Sequence, residues 1–161
     1  MKKTLYIIPG FEETCRRRPY QTLAKKAREK DYEVFFKNVD WKQKLSKQTF
    51  TAPEGSVVFG FSLGAVLAWL VAQDCKCKHI ILASMTPHYS WENKEIKKAL
   101  VDLLGTPFVN DVIKKLDPKK HLSGEQTIMY GDKEDEPADI LVSETEHELN
   151  EQYIKEILKL L

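Results

Sequence analysis

No apolar run in this 161-residue chain is long enough to span a membrane; the longest, after Ser62, breaks at Gln73 and Asp74. An excess of one charge is also missing. Twenty-five Lys and Arg against 24 Asp and Glu leave a net charge of +1, which gives no basis for a nucleic-acid surface. Cysteine is scarce and odd in number. Cys15, Cys75 and Cys77 lack the paired spacing and neighbouring histidines of a zinc site, so no metal is expected and they read as reduced cytoplasmic thiols. Internal repeats and low-complexity segments are absent. The opening "MKKTLYIIPGFEE" has too little apolar sequence before Gly10 and its two glutamates for a leader, so it reads as Lys2 and Lys3 followed by a first strand.

What is present suits one globular domain over residues 1–161, with 42% apolar and 30% charged residues. Strand and helix signals alternate along it. The strands are "TLYII" (Thr4–Ile8), "EVFFKNV" (Glu33–Val39), "VVFGF" before Ser62, "HIILAS" (His79–Ser84), "QTIMYG" and "DILVS". Helical periodicity marks the segment from Pro19, the segment after Ser62, "WENKEIKKALVDLL", "TPFVNDVIKKL" and the terminal "NEQYIKEILKLL". The polar stretch from Lys42 to Gly55 shows no regular pattern. This alternation predicts an α/β fold of three α/β/α layers around a mostly parallel sheet of about six strands. In such sheets ligands gather at the carboxyl ends of the strands, where strand order reverses.

The segment "VVFGFSLGAVLAWL" changes period at its centre. Val57, Val58 and Phe59 form a continuous buried-strand run, and Leu63, Val66, Leu67 and Leu70 then fall at helical spacing. Between them Gly60-Phe61-Ser62-Leu63-Gly64 leaves no residues for a loop. A serine at so sharp a bend takes a strained backbone conformation, and glycine two positions either side removes the side chains that would clash. The hydroxyl then stands at a helix N-terminus, where developing negative charge is favoured.

This pattern resembles the GxSxG nucleophile elbow of the α/β-hydrolase family, over nearly the whole chain but without that family's N-terminal antiparallel hairpin. The resemblance implies a serine esterase with the chain order nucleophile, acid, histidine, and a sheet ordered 2-1-3-4-5-6. Ser62 is then the nucleophile. Among four histidines, only His147, in "DILVSETEHEL", follows a late strand as the family histidine does. His79 lies at a strand's amino end and reads as structural; His121 reads as a loop residue; His88 leaves a strand's carboxyl end but precedes the acid loop. The orienting acid belongs to "GDKEDEP". Family spacing points to Glu134, with Asp135 and Asp132 as alternates. Only 13 positions separate Glu134 from His147, shorter than a usual parallel crossover, so that connection is expected to cross in extended form or with a single helical turn, or the last strand to be placed unusually.

The same resemblance assigns the oxyanion hole to the backbone N–H groups of Leu63 and Phe11, with Pro9 where many relatives carry a histidine. The segment 85–124 lies where family members insert a helical cap, with Tyr89, Trp91 and Phe108 as candidate acyl-pocket residues. Arg16, Arg17 and Arg18 read as a solvated charge run rather than a substrate clamp. The expected activity is cleavage of a small carboxylic ester or thioester through an acyl-enzyme on Ser62, acting on a small-molecule acyl substrate with no cofactor. Two other readings accompany it. One is a degenerate hydrolase fold that binds without turnover, suggested by the short acid-to-histidine segment. The other is a flavodoxin-like ligand binder, disfavoured because "PGFEET" lacks phosphate-cradling glycines.

Overall fold

The computed structural model describes residues 2–85, 93–117 and 119–161. Among them six strands form one sheet: β1 (Lys3–Ile8), β2 (Tyr32–Phe36), β3 (Val57–Phe61), β4 (His79–Ala83), β5 (Glu125–Gly131) and β6 (Ile140–Val142). Their order is β2-β1-β3-β4-β5-β6, and all five pairings are parallel. The helices are α1 (Arg18–Arg28), α2 (Leu63–Asp74), α3 (Lys94–Leu104), α4 (Thr106–Lys115) and α5 (Glu151–Leu160).

Successive strand residues point to opposite faces, and the two resulting half-cores are distinct. Leu5, Ile7, Phe59, Ile81 and Met129 pack with α1 and α5. Tyr6, Ile8, Val58, Ile80 and Leu82 pack with α2 and α4. β3 and β4 are buried at every position, as covering on both faces requires, whereas the edge strand β2 alternates in burial. α2 is buried from Leu63 to Gln73 because it lies in the core between the sheet and α4.

Elements differ from expectation in several places, two of them with a visible cause. β2 ends at Phe36; Lys37 makes one more ladder-like bond to Ile7 O, and Asn38 then turns its side chain to accept the Cys15 N–H at 2.8 Å. The polar stretch 42–55 contains a 3-10 turn, Leu45–Lys47, which buries Leu45 and ties Ser46 to Asp111 of α4. α3 and α5 begin at asparagine caps, Asn93 and Asn150, whose side chains accept backbone N–H groups of the first turn.

Candidate active site

β3, β4 and β5 are neighbours, and each carries a polar group past its carboxyl end. Ser62 follows β3 with φ 56° and ψ −123°, a conformation that an L-residue adopts only under strain. It is held there by its N–H, which donates to Ala83 O at 2.8 Å, and by the immediate start of α2. A Cβ on Gly60 would lie 2.3 Å from Gly64 O, and one on Gly64 would lie 2.2 Å from Pro9 O. No side chain fits at either position, so the glycine spacing is a packing requirement of the bend.

His147 lies in the loop between β6 and α5, its ring tilted against Phe61 at 5.4 Å. Its Nε2 is 2.9 Å from Ser62 Oγ and its Nδ1 is 2.7 Å from Glu134 Oε1. Burial pushes the Glu134 carboxyl up, but hydrogen bonds from His147, Ser84 and the Gly131 N–H outweigh it and hold the group below its ordinary value. Glu134 is therefore an ionised acceptor, so Nδ1 carries the proton and Nε2 is free to accept from Ser62. The three expected residues thus form one hydrogen-bonded line.

The alternate acids take other places. Asp132 accepts the Glu144 and Thr145 N–H groups, both at 3.0 Å, which hold its carboxyl low and fix the loop leading to His147. Asp135 is an exposed residue with φ 55° that ends the 3-10 turn Asp132–Glu134. Neither is bonded to His147.

A cavity of about 500 Å³ opens at Ser62 and His147. Gly10, Phe11 and Leu63, the segments expected to supply oxyanion donors, line it, and so do Leu100 and Leu103 of α3. As the first residue of α2, Leu63 has an N–H with no partner inside the helix. Gly10 N–H donates to the Tyr20 hydroxyl at 3.0 Å, and Tyr20 in turn donates to Glu13, which also pairs with Arg17. This chain of bonds braces the loop that follows Pro9.

Several expectations need correction. Phe108 does not line the cavity: it is 4% exposed, in the α2–α4 core with Val112, because the apolar face of α4 is covered by α2. Leu100 and Leu103 stand at the cavity instead. Arg16, Arg17 and Arg18 are all exposed, as a solvated run would be, and Arg17 in addition pairs with Glu13 and borders the cavity. Tyr89, Trp91 and His88 lie outside the described residues. His79 is buried against Thr127 Oγ1 at 2.8 Å, with burial pushing its pKa down. His121, exposed, contacts Ser123 Oγ. Sequence reasoning missed Ser84 and Tyr153; the signal for Ser84 was its place at the carboxyl end of β4, beside the elbow strand.

With this geometry in view, the fold matches known structures. Est1E from Butyrivibrio proteoclasticus superposes with a TM-score of 0.69 at 15% identity, covering 99% of this chain and 85% of that one. The chain has an α/β-hydrolase fold. The ydeN gene product from B. subtilis matches with a TM-score of 0.51 at 11% identity, over 98% of this chain and 80% of that one. No protein-family model and no curated protein matches the sequence. Among the described residues there is no helix long and apolar enough to cross a membrane, and no group of three or more His, Cys, Asp or Glu placed to hold a metal.

Proposed function

We propose that the protein is a serine hydrolase that cleaves a small carboxylic ester or thioester through an acyl-enzyme on Ser62. The observation that carries this reading is the continuous line Ser62 Oγ, His147 Nε2, His147 Nδ1, Glu134 Oε1, at 2.9 and 2.7 Å. Ser62 Oγ attacks the carbonyl carbon as its proton passes to His147 Nε2. Glu134 remains ionised and stabilises the imidazolium. The oxyanion is received by the Leu63 and Phe11 N–H groups, each worth about 3 kcal/mol in the transition state. His147 then protonates the leaving oxygen or sulfur, and water, activated by the same histidine, hydrolyses the acyl-enzyme.

α3 acts as a small cap, presenting Leu100 and Leu103 to the apolar part of a small acyl substrate. The reading of binding without turnover rested on the short segment after Glu134, yet that segment delivers the acid to His147. A cytoplasmic setting fits three free cysteines, two of them buried. The test is fluorophosphonate labelling of the full chain. Wild-type protein labels at Ser62 and Ser62→Ala does not; a folded wild-type protein that never labels overturns the proposal. Turnover of matched ester and thioester substrates then distinguishes the two substrate types.

A further inference from the structure

Glu134 uses only one carboxylate oxygen on His147. The other, Oε2, accepts the Gly131 N–H at 2.7 Å and the Ser84 hydroxyl at 2.5 Å. Ser84 is fully buried, and its backbone is in the left-handed region, φ 42°, where serine is rarely found. Its N–H donates to Met129 O at 2.7 Å, which pins that conformation. Its Oγ is also 2.6 Å from the hydroxyl of Tyr153, a fully buried α5 residue whose hydroxyl is 3.2 Å from Met129 O.

The proton positions follow from chemistry. Ionised Glu134 can only accept, so the single Ser84 proton points at Oε2. At the Ser84–Tyr153 contact the phenol must therefore donate. Burial, the chief cause, pushes the Tyr153 phenol up, which keeps it a neutral donor. The chain of donors runs Tyr153 to Ser84 to Glu134, and each bond polarises the next.

We infer that Ser84 is a positioning residue for the Ser62–His147–Glu134 site, with its hydroxyl, supported by Tyr153, setting the basicity of Glu134 and through it the proton affinity of His147. This rests on the hydrolase reading for its catalytic consequence, but the coupling itself does not need turnover. Any side chain at φ 42° carries a backbone cost that glycine would avoid, and here the side chain present supplies a hydroxyl to Glu134. Donation to Oε2 draws carboxylate charge away from Oε1, so Ser84 tempers the pull of Glu134 on the His147 ring. The Gly131 N–H still holds Oε2 when Ser84 is removed, so the carboxylate stays in place and becomes more basic.

Several other charged and titratable groups surround this chain, Glu136 among them, which faces Tyr130. Tyr130 of β5 faces Glu134, pushed up chiefly by burial, and donates to Met85 O. Exposed Glu146 and Glu148 flank His147 in its own loop, and Glu12, Glu13 and Arg17 border the cavity it faces. Substitution at Ser84 alters none of these charges.

The test is NMR titration of the His147 imidazole in the full-length protein, assigned with His147→Gln. Ser84→Ala and Ser84→Gly move the His147 midpoint up by about half a pH unit, roughly a threefold change in its protonation ratio. Tyr153→Phe moves it in the same direction by less. Ser84→Gly relieves the backbone, so it reports on the hydroxyl even if Ser84→Ala folds poorly. The acid limb of kcat/KM on an activated ester moves with the NMR midpoint. Folded Ser84 variants that titrate like the wild type overturn the inference. A shifted midpoint in protein that turns over no ester supports the coupling and sinks the hydrolase reading, whereas turnover without a shift sinks the coupling alone.

Discussion

His147 Nδ1 lies 2.7 Å from Glu134 Oε1 although the two residues are only 13 positions apart. A parallel return normally needs a longer crossover with a helix. Here β6 has three residues and pairs only with the end of β5, Met129 with Ile140 through Gly131 with Val142. The chain leaves β5 at Gly131 and re-enters level with Met129, two residues back, or about 7 Å. One 3-10 turn and an extended segment cover that distance, and Asp139 closes it by pairing with the Ile128 backbone.

Glu134→Gln lowers turnover of an activated ester by roughly several hundredfold or more, because a neutral amide neither stabilises the imidazolium nor enforces the productive tautomer. Asp135→Asn leaves turnover unchanged, its carboxylate being exposed and away from His147. Asp132→Asn falls between them, at up to about tenfold, because one amide oxygen cannot hold both the Glu144 and Thr145 N–H groups. Assay of the three single variants on one substrate checks this order.

Tyr20→Phe leaves the buried Gly10 N–H without its acceptor and loosens the loop that offers the Phe11 N–H. The expected result is a fall of about 10–100-fold in kcat/KM, accompanied by a parallel loss of affinity for a boronic acid that mimics the tetrahedral state. A change in melting temperature with unaltered kcat/KM and boronate affinity contradicts this role.

Folding stability depends on pH through Glu134, whose carboxyl is lower in the folded protein than in the unfolded chain. A depressed carboxyl contributes its full stabilisation above the unfolded value, about 4.3 for glutamate, and loses it as pH falls through the folded value. The difference in urea midpoint between wild type and Glu134→Gln is therefore largest near neutrality and shrinks below about pH 4.

Gly64→Ala places a methyl group 2.2 Å from the Pro9 carbonyl oxygen, and backbone on both sides must move. Urea unfolding should show a loss of about 3 kcal/mol or more, at the upper end for overpacking. An alanine variant as stable as the wild type contradicts the close approach.

The strands and the elbow were legible because their signals are local, a change of period at Ser62 and two glycines whose spacing the bend demands among them, whereas the strand order followed from the resemblance. Glu134 and His147 followed from the resemblance, whose order of nucleophile, acid and histidine and whose spacing after the strand's last glycine point to these positions. Contacts between distant segments were not legible. Ser84 meets Glu134 and Tyr153 at separations of 50 and 69 residues, and no periodicity encodes such a meeting. Periodicity likewise showed that α3 and α4 each have an apolar face without saying what covers it. α2 covers that of α4, burying Phe108, while Leu103 of α3 stays 56% exposed at the cavity.

The all-round burial of α2 has a consequence for how the molecule fails. Ser62 is fixed to an element wrapped on every side, whereas Glu134 and His147 flank a strand of three residues at the sheet's edge. Local openings in a native protein range from nearly free to the full cost of global unfolding. Amide hydrogens of α2 should thus exchange with solvent deuterium last, and those of 135–147 early. On slow warming the proposed activity is lost first by fraying at this edge, with Ser62 still seated in an otherwise native body, and it recovers on cooling.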